Sequence, residues 1–193
     1  MMNWITKLET WDQNIIVFLN SYHHPFLDQL MWVVTDHLFG VPFYILFLYF
    51  IYRNYNLKKT VLIVLVVGAI IGLGDFIAAN LFKDVFQRYR PSHNLLINKY
   101  LHFYQFPNGE YYRGGMFGFV SNHATNMAAF CWAAFLLLKD NYSKCWIYLL
   151  LFLLLISYSR IYFGVHYVTD IIGGWLLGVG LVQSFHFFLK KYI

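Results

Sequence analysis

Residues 60–82 read TVLIVLVVGAIIGLGDFIAANLF, a run of apolar side chains broken by one charge, Asp75. A helix needs about 20 mostly apolar residues to cross the hydrocarbon core of a bilayer, and this stretch has them. Three more, roughly 122–138, 145–163 and 167–189, meet the same criterion. A fifth, about 29–52, is interrupted by Thr35-Asp36-His37 and by Pro42, yet its second half is almost wholly apolar. Residues 3–21 differ. Trp4, Ile5, Leu8, Trp11, Ile15, Phe18 and Leu19 recur at helical spacing, with Lys7, Glu9, Asp12 and Asn14 between them. That pattern predicts an amphipathic helix lying in the membrane interface. The expected fold is therefore all-α: a polytopic membrane helix bundle of about five transmembrane helices plus an N-terminal interfacial helix, forming a single domain over 1–193.

Composition agrees with this. Of the 193 residues, 60% are hydrophobic and 12% charged, about half the charged fraction of a soluble domain. Mean hydropathy is +0.52. A disordered chain, a coiled coil and a disulfide-stapled secreted domain are excluded. The net charge of +5 does not point to nucleic acid, because the 14 Lys and Arg are scattered among apolar runs and form no stripe. Cys131 and Cys145 fall in or beside apolar segments and read as buried thiols. No cleavable signal peptide or lipidation box is expected.

Orientation follows from the basic residues of the short loops. Arg53, Lys58, Lys59, Lys139, Lys144, Lys190 and Lys191 fall on one side, Lys7, Lys83, Arg88, Arg90, Lys99, Arg113 and Arg160 on the other. The first set is concentrated in tight turns and is placed in the cytoplasm. The long connection at about 91–120 then lies on the outer face, where its length and aromatic content suit an interfacial flap over a lipid site. Gly68 with Gly72, and Gly174 with Gly178, have the spacing of close helix packing.

Three polar groups fall at span ends on the outer side. The first runs from Lys83 to Pro91 and contains Arg90. On a continuous helix Lys83 and Arg90 share a face about 10 Å apart in height, with Pro91 ending or bending the segment. Alone, the group also reads as snorkelling anchors. The second is Val120-Ser121-Asn122-His123, just before a span. Ser121 or Asn122 caps that helix, and its free N–H groups make an anion site. The third is Ser159-Arg160-Ile161-Tyr162-Phe163-Gly164-Val165-His166-Tyr167-Val168-Thr169-Asp170. Gly164 breaks one helix and His166 opens the next, one turn from Asp170. An aspartate bonded to one ring nitrogen leaves the other free as a nucleophile. Gathered at one depth, these cations, N–H groups and histidines suit a phosphoryl-transfer transition state. No ligand cluster for a metal is visible.

This pattern resembles the type 2 phosphatidic acid phosphatase (PAP2) superfamily, whose motifs read Lys-x6-Arg-Pro, Pro-Ser-Gly-His and Ser-Arg-x5-His-x3-Asp. The first and third are complete here. The second matches at Ser121 and His123, with Val120 and Asn122 in place of Pro and Gly. The resemblance implies His166 as the nucleophile that forms a phosphohistidine, Asp170 orienting it, and His123 as general acid and then base. It implies Lys83, Arg90, Arg160, Ser121 and the Asn122 N–H as phosphate-binding groups, with no metal or cofactor. Arg113 is a possible head-group contact or a solvated loop residue. Asp75 and Asp36 are expected to bond inside the bundle, His93 and His102 to lie on loop surface, and His23 and His24 to sit at the interface.

The implied activity is removal of a terminal phosphate from a lipid phosphate or diphosphate at the outer face of a bacterial inner membrane. Compact size and minimal loops are similar to those of bacterial undecaprenyl-diphosphate phosphatases, which puts that carrier lipid first. Lipid A and phosphatidylglycerophosphate phosphatases share the motifs. A non-catalytic lipid transporter or scramblase, and a vanadate-dependent haloperoxidase, are the readings from other classes. Membrane lipids are the expected partners, and oligomeric state is left open.

Overall fold

The computed structural model describes residues 3–192, and their side chains except those of His37 and 187–192. Lys190 and Lys191, assigned above to the cytoplasmic side, lie outside the described side chains. The longer helices are α1 Trp4–Asn20, α2 Pro25–Thr35, α3 Val41–Asn54, α4 Leu57–Phe76, α5 Lys83–Phe86, α6 Asn122–Leu138, α7 Cys145–Tyr162 and α8 Val168–Tyr192. Among the described residues the extended structure amounts to two isolated antiparallel bridges, Tyr89 with Phe117 and Gln105 with Tyr111. The all-helical expectation holds.

Three helices are long and apolar enough to cross a membrane: Leu57–Phe86, Cys145–Tyr162 and Val168–His186. The pair Pro25–Thr35 and Leu38–Asn54, bent by 74°, makes a fourth. The remaining expected span, α6, has 17 residues, about 26 Å of helix, and runs through the bundle against α4, α7 and α8. Among the described residues three to four spans thus meet length and composition, where five were expected. The bend between α2 and α3 has a local cause. Asp36 is extended and its carboxylate accepts from the Leu38 N–H at 2.7 Å, capping a new 3-10 turn at His37–Gly40.

The α6–α8 contact rests on two of the glycines noted above. A Cβ on Gly174 would lie 2.8 Å from the Ser121 carbonyl oxygen and 2.9 Å from the Ala124 Cβ, and one on Gly178 would press into the Thr125 carbonyl and the Ala129 nitrogen. The backbones therefore touch, as small-residue spacing predicts. Gly68 and Gly72 behave differently: nothing lies within 4 Å of a Cβ at either. Their spacing packs against none of the described residues.

Helix α1 turns polar side chains toward the protein. Its buried residues are Asp12, Ile16 and Asn20, one per turn along one stripe, while Trp4, Trp11 and Phe18 are 72%, 54% and 59% exposed. The polar stripe faces the protein because it has partners there. The Asn20 amide donates to the Tyr162 carbonyl at 2.6 Å and to the His102 carbonyl at 2.9 Å, and accepts from the His102 N–H at 2.6 Å. The apolar residues are left outward, as suits a lipid-facing helix.

The 91–120 connection is tied down rather than loose. Ile97, Leu101, Phe103 and Tyr104 are buried, and Trp32 stacks on Tyr104 at 4.4 Å with the Phe106, Tyr112 and Phe163 rings edge-on around it. At the opposite end of the bundle, Asn141 donates to Asn54 at 2.8 Å and Tyr55 to the Leu137 carbonyl at 3.3 Å. The turns carrying Arg53 to Lys59 and Lys139 to Lys144 thus share one end, as the charge pattern required, and the three motif groups share the other.

Candidate active site

The turn between α7 and α8 presents His166. Helix α7 ends at Tyr162, and Gly164 reverses the chain at φ +63°, a conformation that favours glycine. The Val165 N–H returns to the Arg160 carbonyl at 3.2 Å. His166 lies in this turn, fully buried, with Nδ1 3.3 Å from Asp170 Oδ2 and Nε2 3.2 Å from Arg90 Nη1. A guanidinium has only hydrogens to offer. Nε2 must therefore accept, and the ring proton sits on Nδ1, where it donates to Asp170. Burial, then the charges of Arg90, Arg160 and Lys83, hold the imidazole pKa well below its usual value. The ring is neutral, with its lone pair aimed at the cations.

Asp170 is fully buried and fully engaged. Besides His166, Oδ2 accepts from the Tyr167 N–H at 3.0 Å, and Oδ1 accepts from Arg88 Nη1 at 2.8 Å. Arg88 also donates to Thr169 Oγ1 at 2.6 Å and to Asp12 Oδ2 at 2.8 Å, and lies 4.2 Å over the Tyr167 ring. Asp12 in turn accepts from the Thr169 hydroxyl and, at 3.3 Å, its N–H. A chain of charges, two buried carboxylates bridged by the half-buried Arg88, thus runs from α1 to the histidine.

Arg90 arrives by a route the spacing did not suggest. The helix carrying Lys83 stops at Phe86, where Gln87 takes a left-handed conformation at φ 43°. The chain then runs extended against 116–118: the Arg90 N–H donates to the Met116 carbonyl at 3.0 Å and the Gly118 N–H to the Arg88 carbonyl at 2.9 Å. Extended backbone sends alternate side chains to one face. Arg88 and Arg90 therefore both turn inward, while Tyr89 is exposed. The continuous-helix expectation for Lys83 and Arg90 is corrected accordingly, the reversal coming four residues before Pro91.

Ser121 caps α6 as expected, its hydroxyl accepting from the Ala124 N–H at 3.4 Å. Its own N–H donates to the Asp170 carbonyl at 3.1 Å, joining the starts of α6 and α8. His123, in the first turn, is exposed and lies in the field of Arg160, Arg90 and Asp75. Arg160 is buried; it donates to Tyr112 Oη at 2.7 Å and to the Thr35 hydroxyl, while its Nε has no partner. Thr35, which interrupts the apolar run at 29–52, is thus a contact of the site. Lys83 donates to Asn122 Oδ1, and the Asn122 amide donates to Asp75 Oδ1 at 2.8 Å.

The structure therefore gathers Lys83, Arg90, Ser121, Asn122, His123, Arg160, His166 and Asp170. Arg113 stays apart. It is exposed, 5.1 Å over the Phe103 ring, and lines an outer cavity of about 500 Å³ with Asp28 and His102. His102 is more than loop surface: it pairs with Asp28 at 3.0 Å and stacks on His23 at 4.0 Å. Sequence reasoning missed Arg88, Asp12, Thr35 and Tyr112. The alternation of Arg88 with Arg90, and the stripe Asp12-Ile16-Asn20, were the available signals. Among the described residues no three His, Cys, Asp or Glu gather as a metal centre would require.

Comparison with known proteins shows what the chain is similar to. The chain is 32% identical over 192 residues to a lipid A 4'-phosphatase of Porphyromonas gingivalis, covering 100% of this chain and 76% of that one. It is 32% identical over 189 residues to a lipid A 4'-phosphatase of Bacteroides thetaiotaomicron, covering 97% and 80%. Its fold is similar to the transmembrane PAP2-type phosphatidylglycerolphosphate phosphatase of Bacillus subtilis, with a TM-score of 0.69 and 23% identity over 96% of this chain and 87% of that one. It is also similar to LpxE of Aquifex aeolicus, with a TM-score of 0.62 and 22% identity over 93% and 94%. The PAP2 superfamily profile matches residues 60–192, a stretch that holds all eight gathered residues, and the chain belongs to that superfamily.

Proposed function

We propose that the protein is a membrane-integral, metal-independent phosphatase acting on a phosphorylated glycolipid of the lipid A class. The observation that carries the chemistry is His166, neutral and buried, held by Asp170 on Nδ1 with Nε2 facing Arg90. When a phosphate enters, its oxygens take over the Arg90 hydrogens and release the Nε2 lone pair. Nε2 attacks phosphorus, the bond from phosphorus to the lipid oxygen breaks, and His123 protonates that oxygen. Water then gives a proton to His123 and attacks phosphorus, the N–P bond breaks, and inorganic phosphate leaves. Lys83, Arg160, the Ser121 hydroxyl and the Asn122 N–H hold the phosphoryl oxygens, and the unpartnered Nε of Arg160 is one donor ready for them.

The substrate class rests on the full-length likeness to two lipid A 4'-phosphatases. It replaces undecaprenyl diphosphate as the first choice, since compactness does not distinguish the two lipids. The site is placed at the periplasmic face of the inner membrane, opposite the basic turns. A lipid transporter would bind head groups without needing an orienting carboxylate behind one imidazole.

The test is phosphate release from lipid A, phosphatidylglycerophosphate, undecaprenyl diphosphate and phosphatidic acid by the wild type and by His166→Ala. Lipid A should be hydrolysed fastest, and the variant should be inactive while remaining folded. Activity retained in His166→Ala would refute the mechanism. Faster turnover of undecaprenyl diphosphate would refute the substrate assignment.

A further inference from the structure

The departure from the family motif at Asn122 coincides with an unusual helix. Between α4 and α5 the chain forms a π-helical turn over Ile77–Phe82, a feature often found at functional sites. Its effect here is one of register. Eight residues separate Asp75 from Lys83, and on a regular α-helix they would lie about 80° apart around the axis. A π-turn absorbs one extra residue, leaving about seven effective steps and an offset of roughly 20°. Asp75 and Lys83 are thereby brought to one face of the same helix, with the start of α6 opposite them.

Asn122 fills the gap between them. Its Nδ2 donates to Asp75 Oδ1 at 2.8 Å and to the Asp75 carbonyl at 3.2 Å, and its Oδ1 accepts from the Lys83 ammonium. A carboxylate and a carbonyl can only accept, so they fix which end of the amide faces them. The oxygen is left pointing at Lys83. Asn126, one turn along α6, donates to the same Asp75 oxygen at 3.0 Å and so helps to hold the carboxylate. An ammonium has three hydrogens. One is anchored by Asn122 and two remain for a phosphate.

We propose that Asp75 is a positioning residue: through the Asn122 amide it orients the Lys83 ammonium toward the phosphoryl group. The side chain that replaces the motif glycine then works as part of the cup, and Asp75 and the π-turn are what allow it to. This inference rests on the reading of the site as a phosphate cup.

The test is titration of inorganic phosphate into the detergent-solubilised full chain, for the wild type, Asp75→Ala, Asn122→Gly and the double variant, alongside thermal unfolding. Loss of a hydrogen-bond chain to a charged group predicts a dissociation constant raised about 10- to 100-fold in Asp75→Ala, without a matching fall in melting temperature. In the Asn122→Gly background the same substitution should change phosphate affinity less than twofold. Should Asp75→Ala fail to fold, Asp75→Asn retains an acceptor oxygen without the charge and should weaken binding a few-fold, again only when Asn122 is present. Wild-type affinity in the Asp75 variants, or an equal loss in both backgrounds, overturns the proposal. Lipid turnover by the wild type separates the two readings. Turnover together with unaltered affinity in Asp75→Ala sinks this one alone, whereas the expected binding pattern without turnover sinks the phosphatase.

Discussion

Replacing Gly174 by alanine tests whether the α6–α8 contact sets the geometry of the site. The added Cβ would sit 2.8 Å from the Ser121 carbonyl oxygen, 2.9 Å from the Ala124 Cβ and 3.1 Å from the Thr125 nitrogen. None of these atoms lies at the end of a flexible side chain, so helix α6 must move. Restoring roughly 3.4 Å of separation requires a displacement of roughly 0.6 Å. Overpacking of this kind costs about 1–3 kcal/mol. The displaced turn carries Ser121, Asn122 and His123, while His166 and Asp170 stay with α8. At about a hundredfold loss of rate per ångström of misplacement, the shift predicts roughly a tenfold fall in kcat/KM. The assay is phosphate release in detergent micelles, paired with thermal unfolding. Gly68→Ala is the control, because nothing lies within 4 Å of its Cβ and alanine favours a helix by up to about 1 kcal/mol. It should leave activity unchanged and not lower the melting temperature. If Gly174→Ala matches the wild type in both measurements, the contact does not set the site.

Asp12→Ala leaves Arg88 with Asp170 alone and takes an acceptor from Thr169, and should lower kcat/KM at least tenfold, with a loss of stability of about 1.5–3 kcal/mol, the worth of a hydrogen bond to a charged group; an unchanged melting curve would contradict the Asp12–Arg88–Asp170 chain. For His166, a pKa held well below the usual value means the ring gains its proton only at pH far under 6.5, so it should remain neutral at pH 6. Its ¹⁵N resonances should then report the tautomer protonated at Nδ1, and a doubly protonated ring at that pH would refute the assignment. Chelators should leave lipid phosphatase activity intact, because fixed cations do the work of charge stabilisation; loss in EDTA restored by a divalent metal would contradict this.

Which residues gather at the site was legible in the sequence, but the path of the chain through it was only partly so. Hydropathy marks the apolar helices, and Gly164 marks the turn before His166, since both depend on local composition. The convergence of Lys83 and Arg90 was legible as spacing but not as geometry. The reversal rests on Gln87, a residue with no strong turn preference, whose left-handed conformation is imposed by pairing with 116–118, some thirty residues away. Asp12 and Thr35 were hidden for a related reason. Each reads locally as a defect in an apolar or amphipathic helix, and each has an arginine partner contributed by a distant segment. The glycine pairs show the limit of spacing from the other side. Gly68-x3-Gly72 and Gly174-x3-Gly178 are the same pattern, and only the second has a neighbouring backbone to meet.

Helix α1 carries a warning for anyone who would engineer this protein by hydropathy. Trp4, Trp11 and Phe18 already face outward beside Lys7 and Glu9, so the buried polar residues Asp12 and Asn20 look out of place and invite replacement by leucine. Such a change would make the helix greasier by every scale. It would also cut the wire from Asp12 to the carboxylate behind His166 and undo the clasp that Asn20 closes between the first helix, the end of α7 and the outer connection.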